Sequence, residues 1–126
     1  DGKLRVFTEN DGMESELTRD IGPGPAGAMA GQISVATRRG TGRYDGTRWT
    51  FSRLGAFYPA ATSLGHDAHG NVFVGTEKGL YCVGECAADV IDQARGLNDD
   101  KVDDLAVDAR NRVWVLTEKG INIVEP

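Results

Sequence analysis

The sequence is poor in the residues that usually mark chemistry. Cysteine occurs twice and histidine twice in 126 residues. With no further cysteine and no nearby histidine to complete a tetrahedron, a zinc site at the cysteines is not expected. Basic residues are outnumbered, 14 against 19 acidic, for a net charge of -5. That balance excludes nonspecific nucleic-acid binding, which needs a concentrated basic surface. No apolar run approaches the roughly 20 residues that span a bilayer as a helix. No Ser-His-Asp order, phosphate loop or paired-carboxylate motif stands above chance. The start, Asp1-Gly2-Lys3, reads as a turn rather than a leader, as expected of a mature chain or one cut from something longer. Aromatics are sparse, with two Trp, three Tyr and four Phe against seventeen Gly, which points to many tight turns and a β-rich fold.

What the chain does have is repetition. "NVFVGTEKGLYCV" (71–83) and "RVWVLTEKGINIV" (112–124) are near copies, and "QISVATRRGTGRY" (32–44) is a third. Each holds an apolar run, then Thr-x-x-Gly, then a second run. The first runs are apolar or small on both alternating faces, so each strand is expected to be sandwiched between neighbours. The two residues before each glycine form a hairpin turn, with glycine supplying a positive φ. Upstream, Asp67 and Asp108 head matching Asp-Ala segments, where the carboxylate is expected to bond the turn backbone. Downstream, "DGTRWTFS" (45–52) resembles "DGKLRVFT" (1–8), and both read as a last strand. A period near 40 with four short strands predicts all-β architecture: β-propeller blades, four-stranded antiparallel sheets, three blades' worth of strands.

Cys82 and Cys86 flank Val83-Gly84-Glu85, which reads as a three-residue hairpin loop. Arg43 and Thr47 hold the same places around Tyr44-Asp45-Gly46. Residues flanking such a loop face each other at a Cα separation of about 5–6 Å, which suits a disulfide. A disulfide implies an oxidising compartment, and two free thiols in the cytosol are the alternative.

The run Asp67 to Leu80, Asp-x-x-Gly-Asn-x-x-Val-Gly-Thr-x-x-Gly-Leu, resembles the repeat of two-component regulator propellers. Arg95-Gly96-Leu97-Asn98 followed by Val102 is similar to that family's inter-blade linker. The resemblance covers most of residues 1–22 and 31–126. It departs at Leu116 in place of glycine, at Ile121 in place of leucine, and in the Gly- and Pro-rich 21–31, where the first strand of a unit is expected only in degraded form. It implies a sensor domain of a bacterial signalling protein, periplasmic or extracellular, that binds a ligand without catalysis. The alternatives are a propeller lyase or hydrolase at the channel mouth and a protein-binding scaffold.

Naming strands a to d from centre to rim, the chain reads d at 1–8, a blade at 20–53, a blade at 59–94 and a partial blade, a to c, at 101–126. Closed propellers have about four to eight blades. An open wedge leaving ~600 Å² of apolar flank in water forgoes roughly 15 kcal/mol at ~25 cal/mol per Å². The expected partner is therefore a second copy, giving six blades with Leu4–Thr8 closing the partner's last sheet, or the remainder of a larger propeller. On the face carrying the b–c turns, Arg38, Arg39, Lys78 and Lys119 are candidate contacts for an anionic or carbohydrate ligand. Phe57 and Tyr58 are candidates for stacking on a sugar. No cofactor or metal is expected. His66 and His69 in "HDAH" lack a third ligand, and His66 is the one acid or base available to the lyase alternative. Trp49 and Trp114 are expected in inter-blade core.

Overall fold

Each apolar run of the repeat becomes the second strand of an antiparallel sheet. The computed structural model describes residues 2–13, 18–24, 32–38, 40–53, 59–83 and 90–125. Blade 1 contains β1 (Thr18–Pro23), β2 (Ile33–Thr37), β3 (Gly40–Tyr44) and β4 (Trp49–Arg53), hydrogen-bonded in that order. Blade 2 contains β5 (Ala61–His66), β6 (Val72–Thr76), β7 (Gly79–Val83) and β8 (Val90–Ile91). Blade 3 has three strands, β9 (Asp104–Val107), β10 (Val113–Thr117) and β11 (Gly120–Val124). The first strands lie side by side, β5 against β1 on one flank and β9 on the other. Sheets that share their inner strands about one axis are propeller blades.

The repeated threonine and glycine fix the turns. Thr76 is buried; its Oγ1 donates to the Gly79 carbonyl at 2.8 Å and accepts the Lys78 N–H at 3.0 Å. Thr117 Oγ1 likewise accepts the Lys119 N–H at 3.1 Å, but it lies 3.3 Å from the Gly120 carbonyl because its proton goes to Asn98 Oδ1 at 2.6 Å. Gly79 and Gly120 sit at φ 126° and 127°, where a side chain is strained. The aspartates close the a–b turns. Asp67 Oδ1 accepts the His69 and Asn71 N–H groups, and Asp108 Oδ1 accepts those of Arg110 and Arg112.

Blades 2 and 3 meet through an apolar cluster of Leu80, Leu97, Val102, Leu105, Val113 and Val115. The linker between them is tied to both. Asn98 Oδ1 accepts from Thr117 Oγ1 at 2.6 Å and from Asn122 Nδ2 at 2.9 Å, and the Val102 N–H donates to the Thr76 carbonyl at 2.9 Å. Blades 1 and 2 share a smaller cluster, Ala36 with Ala61, Leu64, Val72 and Val74. One charge-assisted bond crosses the same boundary, from the Leu64 N–H to Asp20 Oδ2 at 2.9 Å.

Several expectations need correction. The first strand of blade 1 runs from Thr18 to Pro23, mostly ahead of the Gly- and Pro-rich stretch, because Thr18 and Asp20 supply residues that ladder against Thr37 and Ala36. Val83 ends β7, as a second strand running from Leu80 to Val83 requires, rather than opening the loop, and the next described strand is Val90–Ile91. Residues 84–89, with Cys86 and the hairpin expected to set it opposite Cys82, lie outside the described residues. Likewise Tyr44 ends β3 opposite Trp49, and the turn is Asp45–Arg48, closed by Asp45 Oδ1 accepting the Thr47 and Arg48 N–H groups. Residues 2–8, read as a last strand without a sheet of its own, have no ladder partner among the described residues. The tryptophans also sit elsewhere than between the described blades. Trp49 stacks with Phe51 and meets Tyr44 and Phe7 on the flank of blade 1 away from blade 2. Trp114 lies on the flank of blade 3 away from blade 2, its Nε1 donating to Asp108 Oδ2 at 2.9 Å.

Candidate functional site

Arg38, Lys78 and Lys119 stand exposed at the b–c turns. Arg39, Phe57 and Tyr58 lie outside the described residues. None of the three described cations lines the clefts discussed below.

The cleft richest in polar side chains opens between blades 1 and 2, with a volume of about 330 Å³. Cross-strand neighbours share a face, so the ladder rows Ser34–Arg43–Thr50 and Ala36–Thr41–Ser52 present their side chains together. Blade 2 answers with His66, the last residue of β5, above Leu64 and Val72. His66 Nε2 and Ser34 Oγ are 3.0 Å apart. His66 Nδ1 and Gln32 Oε1 are buried and have no hydrogen-bond partner among the described residues. Burial, and then the charge of Arg43, push the His66 pKa below its ordinary value of 6.5 against the smaller opposing pull of Asp67. The imidazole is therefore neutral at neutral pH. Arg43 has no carboxylate partner among the described residues.

A second cleft of about 350 Å³ lies at the axial end of β1, β5 and β9, floored by Asp67, Ala68, Asp108 and Asn111. Its carboxylates are committed to their turns. Burial pushes Asp67 up, but hydrogen bonds from Asn71 and His69 outweigh it and leave the pKa below 3.8. Hydrogen bonding from the Trp114 indole, then from Arg112, holds Asp108 far below the usual carboxylate range. His69 is exposed and directs only its backbone N–H to Asp67, so the two histidines of "HDAH" do not converge. Among the described residues no three His, Cys, Asp or Glu gather as a metal site.

These shifts predict an acid profile with two steps. His66 is harder to protonate folded than unfolded, so stability held above pH 6.5 falls as pH drops below it. Asp67 and Asp108 are depressed, so their contribution is complete above about pH 3.8 and is lost as pH falls through the folded values. Thermal midpoints across pH should show both steps. His66→Gln should remove the upper one, and Asp108→Asn should flatten the lower one. A midpoint independent of pH between 7 and 5 overturns the first assignment.

The motif reading missed Ser34, Thr41, Arg43 and Ser52. Their signal was available as polar residues at repeat positions that are apolar in the next copy.

No protein-family model matches the chain, and no curated protein matches it. Among solved structures, the chain is similar to the extracellular domain of what is described as the hybrid two component system BT4673 from B. thetaiotaomicron. The TM-score is 0.66 at 16% identity, over 96% of this chain and 16% of that one. A second structure, the extracellular domain described as the one component system BT4673 from the same organism, gives 0.46 at 16% identity over 94% and 22%. This chain spans about a sixth of the length of the first neighbour. At this identity the likeness establishes a shared fold.

Proposed function

We propose that this chain is a recognition module of the sensor-propeller kind, non-catalytic and extracytoplasmic, whose blades close into a six-bladed ring by pairing two copies head to tail. One observation carries the closure. The large apolar side chains left exposed among the described residues are Leu4, Val6, Ile21, Ile33, Leu116, Ile121 and Ile123. The ladder places Ile21 and Ile33 on the outer flank of blade 1, and Leu116, Ile121 and Ile123 on the outer flank of blade 3. Leu4 and Val6 belong to the unladdered segment. Flanks that would meet another blade are apolar, and a head-to-tail pair buries both at once. A groove of about 480 Å³ beside the free edge of β11, walled by Ile91, Leu97 and Ile123, offers the missing outer-strand position to residues 3–8 of the second copy.

Binding rather than catalysis is supported by what the ionisable groups do. Both axial aspartates are spent on turns. Among the described residues the Ser34–His66 pair has no carboxylate orienting His66 Nδ1, as nucleophilic activation requires. The fold likeness to an extracellular domain and the resemblance of Asp67–Leu80 to sensor-propeller repeats support placement outside the cytoplasm. So does Cys82, since no cysteine among the described residues is free; the sequence offers only Cys86 as its partner. Intact mass with and without reductant tests the bond, and an oxidised chain should gain two hydrogens. No mass change removes the redox argument. Light scattering tests the ring: about 27 kDa is expected, twice the 13.5 kDa chain, and a folded particle of one chain mass overturns it.

A further inference from the structure

The three copies can be superposed on their ladders, which shows what the cleft between blades 1 and 2 replaces. In blade 2, the face turned to blade 3 carries Phe73, Leu80 and Ile91, all packed into the apolar cluster. The same ladder positions in blade 1, one repeat earlier, are Ser34, Thr41 and Ser52, facing blade 2. Cys82 of blade 2 corresponds to Arg43. On the opposing wall, Val107 of blade 3 pairs in the ladder with Val113, as His66 of blade 2 pairs with Val72. Val107 packs into the cluster, whereas His66 meets Ser34. One inter-blade boundary is thus an apolar core, and its neighbour has exchanged that layer for hydroxyls, a guanidinium and an imidazole around an open volume.

Such an exchange gives up apolar burial at every position and leaves buried polar atoms without partners. Local rules broken together at one place mark function more than chance. We propose that this cleft is a binding site for a small polyhydroxy carboxylate, with Arg43 taking the carboxylate and Ser34, Thr41, Thr50, Ser52 and His66 taking the hydroxyls. A planar guanidinium without a protein carboxylate suits a bidentate anion, and a hydroxyl-lined wall suits a polyol chain. The charged groups around His66 are Arg43 and Asp45 from blade 1 and Asp67 on its own blade, with Asp20 bonded to the Leu64 N–H two residues away. The charge of Arg43 opposes protonation of His66, so a bound carboxylate that neutralises it favours the imidazolium, and binding takes up a proton.

The inference rests on the reading of the chain as a recognition module, but both walls of the cleft belong to one chain. A failure of ring closure therefore leaves it standing, and its own failure leaves the ring standing. The test is NMR titration of the full chain, following the His66 ring proton, with D-gluconate as probe. D-Glucitol has the hydroxyls without the carboxylate, and acetate has the reverse. Gluconate should bind in the millimolar range or tighter, raise the His66 titration midpoint and bind better as pH falls from 8 towards 6. Glucitol and acetate should each be weaker by roughly tenfold or more. Arg43→Gln should weaken gluconate by about tenfold to a hundredfold and leave glucitol unchanged. Three results overturn the proposal: no shift with gluconate up to ~10 mM, equal binding of gluconate and glucitol, or a His66 midpoint that gluconate does not move. None of these depends on the variant folding.

Discussion

Ile121→Glu should convert a two-chain particle into single chains. Ile121 is 64% exposed on the outer flank of blade 3, in the ladder row it shares with Leu116 and Asp104. In a head-to-tail ring that flank is covered by blade 1 of the other copy. A carboxylate there loses hydration without gaining a partner, and an unpaired buried charge costs several kcal/mol. At about 1.4 kcal/mol per tenfold, association should weaken by at least a hundredfold. In the single chain the same side chain lies in water, so circular dichroism should be unchanged. That contrast separates loss of assembly from loss of folding.

Val6→Pro gives an independent reading of the same ring. Among the described residues, 2–8 make no ladder bonds, so a proline at Val6 removes no ladder hydrogen bond from the lone fold. Within a strand added to β11 it removes a donor and bends the segment. Both variants should therefore dissociate the ring with the fold retained. If light scattering gives the parent mass for both, the flanks are covered by something other than a second copy and the two-chain ring is wrong. A shift of both to one chain mass supports it.

The blades were legible because their punctuation is local. A threonine that bonds its own turn and a glycine at positive φ need no knowledge of the rest of the chain, and the same holds for Asp67 and Asp108. Lengths were less legible. The turn after β3 reads as three residues from the spacing of Asp-Gly, but register is set by the whole ladder, which carries Tyr44 into its strand opposite Trp49. The cleft was harder still. Attention to turn residues led to Arg38, Lys78 and Lys119, which stand in solvent. Arg43 reads as one more residue flanking a turn. Its meaning appears only when copies are compared by face: a serine where the next copy has Phe73 says nothing alone, but Ser34, Thr41, Ser52 and His66 all break the pattern on one boundary.

The same comparison makes the last prediction severe. Leu116 stands where blade 2 has Gly75 and blade 1 has Ala36, and within the chain it is 44% exposed on the outer flank of blade 3. Gly75 faces blade 3. A Cβ there would lie 2.6 Å from Val102 Cγ1 and would strike the Ser63 hydroxyl as well. Val102 cannot withdraw, because its N–H and carbonyl are both held, by the Thr76 carbonyl and by Thr62 Oγ1 at 2.7 Å. Copying the blade 3 residue into blade 2, Gly75→Leu, should therefore destabilise the protein by about 3 kcal/mol or more, at the upper end of overpacking effects. Gly22→Ala is the control: it is a strand glycine with nothing within 4 Å of an added Cβ and no positive φ, so it should be neutral or slightly stabilising. Urea unfolding of the two variants checks both. Near-parental stability of Gly75→Leu would mean that blades 2 and 3 do not pack through Val102, and the assignment of their shared core would have to be abandoned.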